Sequence, residues 1–128
     1  MTDLDLSETR VSDLSPLAGL TALLDLDVSY SPVDDLSAVA GMTSLLTLNV
    51  NATLITDISP LASIDGLTRV TLDETRIDDI SALANHSNLS VVGLDDCRVS
   101  DLSPLAGLTA MEYLYLDNNP VSDLSPLA

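Results

Sequence analysis

The 128-residue chain contains no phenylalanine, no tryptophan and no lysine, and has a single cysteine and a single histidine. Each absence excludes something. One cysteine cannot form an internal disulfide or a CxxC metal or redox pair. His86 has no Ser or Cys assignable beside it together with a third orienting group, so a nucleophilic triad has no basis. No glycine-rich phosphate loop occurs. Four Arg against twenty acidic residues give a net charge of −16, which opposes nucleic acid. No apolar run approaches the length of a membrane-spanning helix, and none at the N-terminus resembles a signal peptide, so direct membrane insertion is not expected. No cofactor is implied, and an enzyme is not expected. With 46% hydrophobic but only 2% aromatic residues, the core must be aliphatic.

What the chain does contain is repetition. RVSDLSPLAGLTA occurs at Arg10 to Ala22 and again, unchanged, at Arg98 to Ala110, and VSDLSPLA returns at Val121. The last two copies start 22 residues apart, and the first two are separated by four such steps. Sliding the chain against itself by 22 residues aligns its apolar positions without one insertion. Leu4, Leu26, Leu48, Val70, Val92 and Leu114 form one column, and Leu6, Val28, Val50, Leu72, Leu94 and Leu116 the column two residues on. Val11, Leu14 and Leu17 head three further aliphatic columns, and those of Leu20 and Leu23 are apolar except at His86.

The pair Leu4-x-Leu6 has the two-residue period of a half-buried strand, expected to run about five residues. The following D-[LI]-S-[PA]-[LV]-A segment reverses the chain, with Ser15 read as an N-cap and Pro16 as the first position of a short helix or 3₁₀ turn. One such coil cannot enclose a core, so its side chains must meet those of the coils above and below. The expected product is a single α/β domain over residues 1–128: a solenoid of six copies, with a parallel sheet of six short strands on one side and short 3₁₀ or helical turns on the other. Met1 nearly abuts the first strand and Ala128 falls within the last turn. The expectation is therefore a fragment without capping units, open to end-to-end self-association through its strand edges.

The motif L-x-x-L-x-L-x-x-[NTSC]-x-[IV]-x-D-[IL]-S-x-L resembles the 22-residue leucine-rich repeats of bacterial internalins and of the phosphatase-regulating repeat proteins of eukaryotes. The resemblance covers essentially the whole chain. It implies a right-handed horseshoe arc with a concave sheet, and binding of a protein partner on that face. Cell-surface or secreted location is favoured over cytoplasmic. Where the family usually places a ladder Asn, this chain has Thr9, Ser31, Thr53, Thr75, Cys97 and Asn119. Hydroxyls and a thiol offer fewer hydrogen bonds than an amide, so a looser ladder is expected, with Cys97 a buried thiol within it.

Among candidate sites, the column Asp13, Asp35, Asp57, Asp79, Asp101 and Asp123 is read as structural, its carboxylates accepting backbone N–H bonds at each turn. A second acidic set, Asp3, Asp5, Glu8, Asp25, Asp27, Asp73, Glu74, Asp95, Asp96 and Asp117, is read as lying on exposed strand positions. Stacked Asp73, Asp95 and Asp117 suggest a calcium-dependent module as one alternative, with a solvated face preferred and no metal assigned. His86 is read as a partly buried substitution on the convex side. Sequons at Asn51, Asn85 and Asn88 arise readily by chance in so short a repeat. All three tyrosines, Tyr30, Tyr113 and Tyr115, fall on or beside the concave strands, with Arg69 two coils from Tyr113 in the same column. Aromatics and Arg are enriched at interfaces. The expected function is a non-enzymatic module that binds a protein ligand, one with a basic surface, through Asp25, Asp27, Tyr30, Arg69, Asp73, Asp95, Tyr113, Tyr115 and Asp117. The other alternative is a structural spacer within a larger surface protein.

Overall fold

A computed structural model describes all residues 1–128. Six strands, β1 (Asp3–Asp5), β2 (Asp25–Asp27), β3 (Thr47–Asn49), β4 (Arg69–Thr71), β5 (Val91–Gly93) and β6 (Tyr113–Tyr115), form one sheet in chain order. Every neighbouring pair is parallel and offset by 22 residues: Leu4 faces Leu26, Leu48 faces Val70 and Val92 faces Leu114. The register is thus the one the aliphatic columns require. A one-residue slip would turn each Leu or Val of the first column to water. The strands are three residues long rather than about five, because the chain turns sharply after each one. Position 8 of every coil, Glu8, Tyr30, Ala52, Glu74, Asp96 and Asn118, has φ between 52° and 58°. Left-handed backbone costs a non-glycine residue roughly 1–2 kcal/mol, and this turn carries that strain six times.

The return segments are all 3₁₀, not α-helical, beginning at Ser15, Ser37, Ser59, Ser81, Ser103 and Ser125. Ser15 is therefore the first residue of its turn and not the cap; Leu14 occupies the cap position and makes no side-chain cap bond. The capping is done one residue earlier. Asp13 Oδ1 accepts from the Ser15 N–H at 2.8 Å, and the same bond recurs at Asp35, Asp57, Asp79, Asp101 and Asp123. Donation from the serine's N–H and hydroxyl holds the Asp79, Asp101 and Asp123 carboxyls below the usual carboxylate range, and does so at Asp13 with the hydroxyl contributing most.

Between sheet and turns lies a continuous core of 29 buried residues, all Leu, Ile or Val apart from Met42 and Cys97, that runs the length of the stack. Its columns are fully covered only in the middle. Leu48 and Val70 are inaccessible to solvent, whereas Leu4 and Leu114 in the same column are half-buried, and Leu124 and Leu127 in the last turn are exposed. Burying one such side chain is worth roughly 1.5–3 kcal/mol, so cohesion is greatest in the central coils. His86 is fully buried, at 2% exposure, rather than partly so. It sits among these apolar columns, Nε2 lies 3.0 Å from the Leu61 carbonyl of the preceding coil, and Nδ1 has no partner.

Candidate binding face

The concave sheet presents positions 3 and 5 of each coil. The register brings Arg69, Val91 and Tyr113 side by side in one row and Thr71, Gly93 and Tyr115 in the next. A shallow hollow of about 480 Å³ lies over the middle of the sheet, and six of the residues expected at the site line it: Asp25, Asp27, Arg69, Asp73, Asp95 and Tyr115. Thr47, Asn49, Asn51 and Thr71 complete its lining. These four carry no charge and no ring, yet they occupy the same outward columns, and that shared column is the signal that identifies them. Tyr113, Asp117 and Tyr30 lie outside the hollow. Tyr113 stands exposed on β6, Asp117 follows that strand, and Tyr30 occupies the left-handed turn after β2.

Asp73, Asp95 and Asp117 do not sit on strand positions; they follow β4, β5 and β6 at position 7, where the backbone N–H needs an acceptor. The chain meets that need in two ways. In the first three coils a side chain two residues earlier serves: Asp5 accepts from Ser7 N–H, Asp27 from Ser29 and Asn49 from Asn51. In the last three, position 5 is Thr71, Gly93 or Tyr115, none of which offers a carboxylate or amide oxygen. The acceptor there comes from position 7 of the preceding coil: Asn51 Oδ1 takes the Asp73 N–H at 2.9 Å, Asp73 Oδ1 that of Asp95 at 2.9 Å, and Asp95 Oδ1 that of Asp117 at 2.7 Å. Asn51 joins the two arrangements, and its amide also donates to Asp73 Oδ2. No three His, Cys, Asp or Glu groups converge in the geometry of a metal site; one oxygen of Asp73 and of Asp95 is already engaged by backbone.

The inner ladder follows side-chain chemistry. Thr9, Ser31, Thr53 and Thr75 donate to the carbonyl three residues back in their own coil. Asn119 reaches Leu94 O in the preceding coil as well as Leu116 O and Asp117 O. Cys97 Sγ also crosses, to Leu72 O at 3.2 Å, and burial pushes its thiol pKa up. The hydroxyl rungs therefore tie less between coils than an amide does.

Two carboxyls in the hollow are pushed above the ordinary range. Burial is the main cause for Asp73, opposed by donation from Asp95 N–H. For Asp25 burial again leads, reinforced by the charges of Asp3 and Asp27 and opposed by Arg69. Each is more costly to ionise here than in water, and a cation placed over them would reverse that.

Asp73 reaches the Asp95 N–H by crossing over Gly93. A Cβ there would stand 2.7 Å from Asp73 Oδ1 and 3.0 Å from Oδ2. Gly93→Ala is therefore expected to displace the carboxylate and lower stability by about 1 kcal/mol, as read by urea unfolding. In an Asp73→Ala background the same change should add almost nothing.

Comparison with known proteins agrees with this geometry. A family model described as leucine-rich repeats in two copies matches residues 87–128. No curated protein sequence gives a significant match. The internalin C2 structure from Listeria monocytogenes is 33% identical, with a TM-score of 0.77, over 100% of this chain and 66% of that one. A second Listeria monocytogenes internalin, InlF, is also 33% identical, with a TM-score of 0.76, over 99% of this chain and 44% of that one. This chain thus spans less than two thirds of either. The ectodomain of the Arabidopsis thaliana membrane receptor kinase GASSHO1/SCHENGEN3, solved in complex with CASPARIAN STRIP INTEGRITY FACTOR 2, shares the fold, with a TM-score of 0.77 at 23% identity over 92% of this chain and 15% of that one. With six coils in unbroken 22-residue register and these resemblances, the chain is a leucine-rich repeat solenoid of the internalin-like type.

Proposed function

We propose that the chain is a non-enzymatic protein-interaction module, acting at the cell surface or after secretion, that takes an extended Lys- or Arg-bearing protein segment across the middle and C-terminal half of its concave sheet. The observation that carries this reading is the hollow itself. Asp25, Asp27, Asp73 and Asp95 line it together with Tyr115, and Tyr113 stands exposed on the same strand. Carboxylates favour encounter with a basic surface and reject an acidic one, while tyrosines bury large rigid rings at low entropic cost. The rings project from a strand fixed by the repeat core, so they arrive already positioned. Relatives with this fold point the same way, since the plant ectodomain was solved with a bound partner.

The test is selection from a displayed library of extended peptides, followed by affinity measurement. Selected sequences should be enriched in Lys and Arg, and Tyr113→Ala with Tyr115→Ala should weaken them more than tenfold while leaving the circular dichroism spectrum unchanged. Affinity should also fall on acidification. The raised Asp25 and Asp73 carboxyls take up protons before ordinary carboxylates do, and lose their attraction for a cation. A library that yields no binder, or binders indifferent to both tyrosines, would leave the concave sheet a spacer surface.

A further inference from the structure

Apart from Arg69, every arginine of the chain lies in one strip, on the flank where the strands leave the sheet. Position 8 of the first five coils reads Glu8, Tyr30, Ala52, Glu74, Asp96, and position 10 reads Arg10, Pro32, Leu54, Arg76, Arg98. Position 9 between them is buried in coils two to five, so positions 8 and 10 stand outward as two parallel columns. Both are held by backbone. The Ala52 N–H donates to Asp73 O of the next coil and the Leu54 N–H to Val33 O of the one before, at 2.8 and 2.9 Å. At the centre Tyr30 and Leu54, 58% and 52% exposed, form an apolar island with Pro32 and Ala52.

The two columns match coil by coil. Where position 8 is acidic, position 10 is Arg; where position 8 is apolar, so is position 10. Three acids face three arginines, so the strip is neutral on a chain of net charge −16.

We propose that this strip is a self-association surface whose occupant is a second copy of the chain, lying alongside with its coils parallel and related by a two-fold axis along the stack. That axis exchanges the columns. Glu8 then meets Arg10 of the second copy, Glu74 meets Arg76, Asp96 meets Arg98, and the apolar island covers its own image. A two-fold axis across the stack would instead set Glu8 against Glu74. An isologous contact requires a patch complementary to itself, and this strip is. Elsewhere the copies repel, but at physiological salt that repulsion is screened within about 8 Å. Five coils spaced about 4.8 Å apart make a contact smaller than a standard interface, so the dimer is weak and concentration-dependent.

Sedimentation equilibrium from roughly 10 μM to 1 mM, a range suited to small interfaces, tests this at physiological salt. The mean mass should rise from 13.4 kDa towards twice that value. Arg76→Glu with Arg98→Glu should weaken association at least tenfold, because acid then faces acid. Adding Glu74→Arg and Asp96→Arg to that variant restores opposite charges across the axis at unchanged net charge, and should restore association. Leu124→Asp, in the last turn, should leave it intact. A monomer at every concentration would overturn the proposal. So would failure of the four-fold variant to recover, or association lost with Leu124→Asp and indifferent to the arginines, which would mark end-to-end stacking instead.

Discussion

Leu48→Ala should lower the stability of the solenoid by about 3–5 kcal/mol, whereas Leu114→Ala, in the same column, should cost less than half as much. Leu48 is inaccessible to solvent, flanked in the sheet by Leu26 and Val70. Its truncation removes transfer free energy and leaves a cavity that two rigid neighbouring coils cannot close. Leu114 is half-buried on β6, which has a strand on one side only, so water fills the gap. In a stack where each coil touches only its neighbours, loss in the middle also divides the array into two short pieces, each with fewer interfaces. Urea unfolding of both variants, followed by circular dichroism, gives the two values directly. Equal costs would mean that the ends are as well packed as the centre, contrary to the exposure of Leu124 and Leu127.

His86→Leu should raise stability by about 2 kcal/mol and the melting temperature by several degrees. The imidazole is buried in a column that is otherwise Leu20, Met42, Ile64 and Leu108, and its Nδ1 lacks a partner. An orphaned polar atom at such a site costs about 1–3 kcal/mol. Its one bond, from Nε2 to Leu61 O, is dispensable, because that carbonyl also accepts from Ile64 N–H at 3.0 Å. Leucine therefore removes the orphan and leaves none behind. Thermal unfolding measures the shift, and a decrease would show that His86 holds the third and fourth coils together in a way an apolar side chain cannot.

The architecture was legible in the sequence because a solenoid repeats its constraints. The columns headed by Leu4 and Leu6 fixed which residues pair before any distance was known, and every Asp of the column headed by Asp13 accepts the N–H that the pattern assigned to it. What escaped the sequence concerned backbone needs, which leave no mark in side-chain periodicity. Asp73, Asp95 and Asp117 look like a stacked acidic face until the N–H groups of the next coil are placed beside them. Tyr30 looks like a strand aromatic until the sharp turn removes it from the sheet. Ser15 fits a cap by type, but the Asp two residues before it is the better acceptor. His86 reads as a partly buried substitution in an otherwise apolar column, yet the stacked coils cover it completely. Of the candidate face, Tyr113, Arg69 and their shared row followed from counting by 22; the hollow, and the part taken in it by Asn49, Asn51 and Thr71, required the neighbouring coils in place.

The change of acceptor at Asn51 means that the six coils, though alike in outline, cannot be shuffled. A coil such as the second, which carries its own oxygen at Asp27, can follow any predecessor. A coil such as the fifth, with Gly93 in that place, must follow one that carries Asn or Asp at position 7, two residues past its strand. Moved behind the first coil, it would find Ser7 and leave an amide unanswered. A 22-residue unit copied from the fifth coil could therefore stand behind the third, fourth, fifth or sixth coil, where Asn51, Asp73, Asp95 or Asp117 supplies the acceptor, but not behind the first or second, where Ser7 and Ser29 stand.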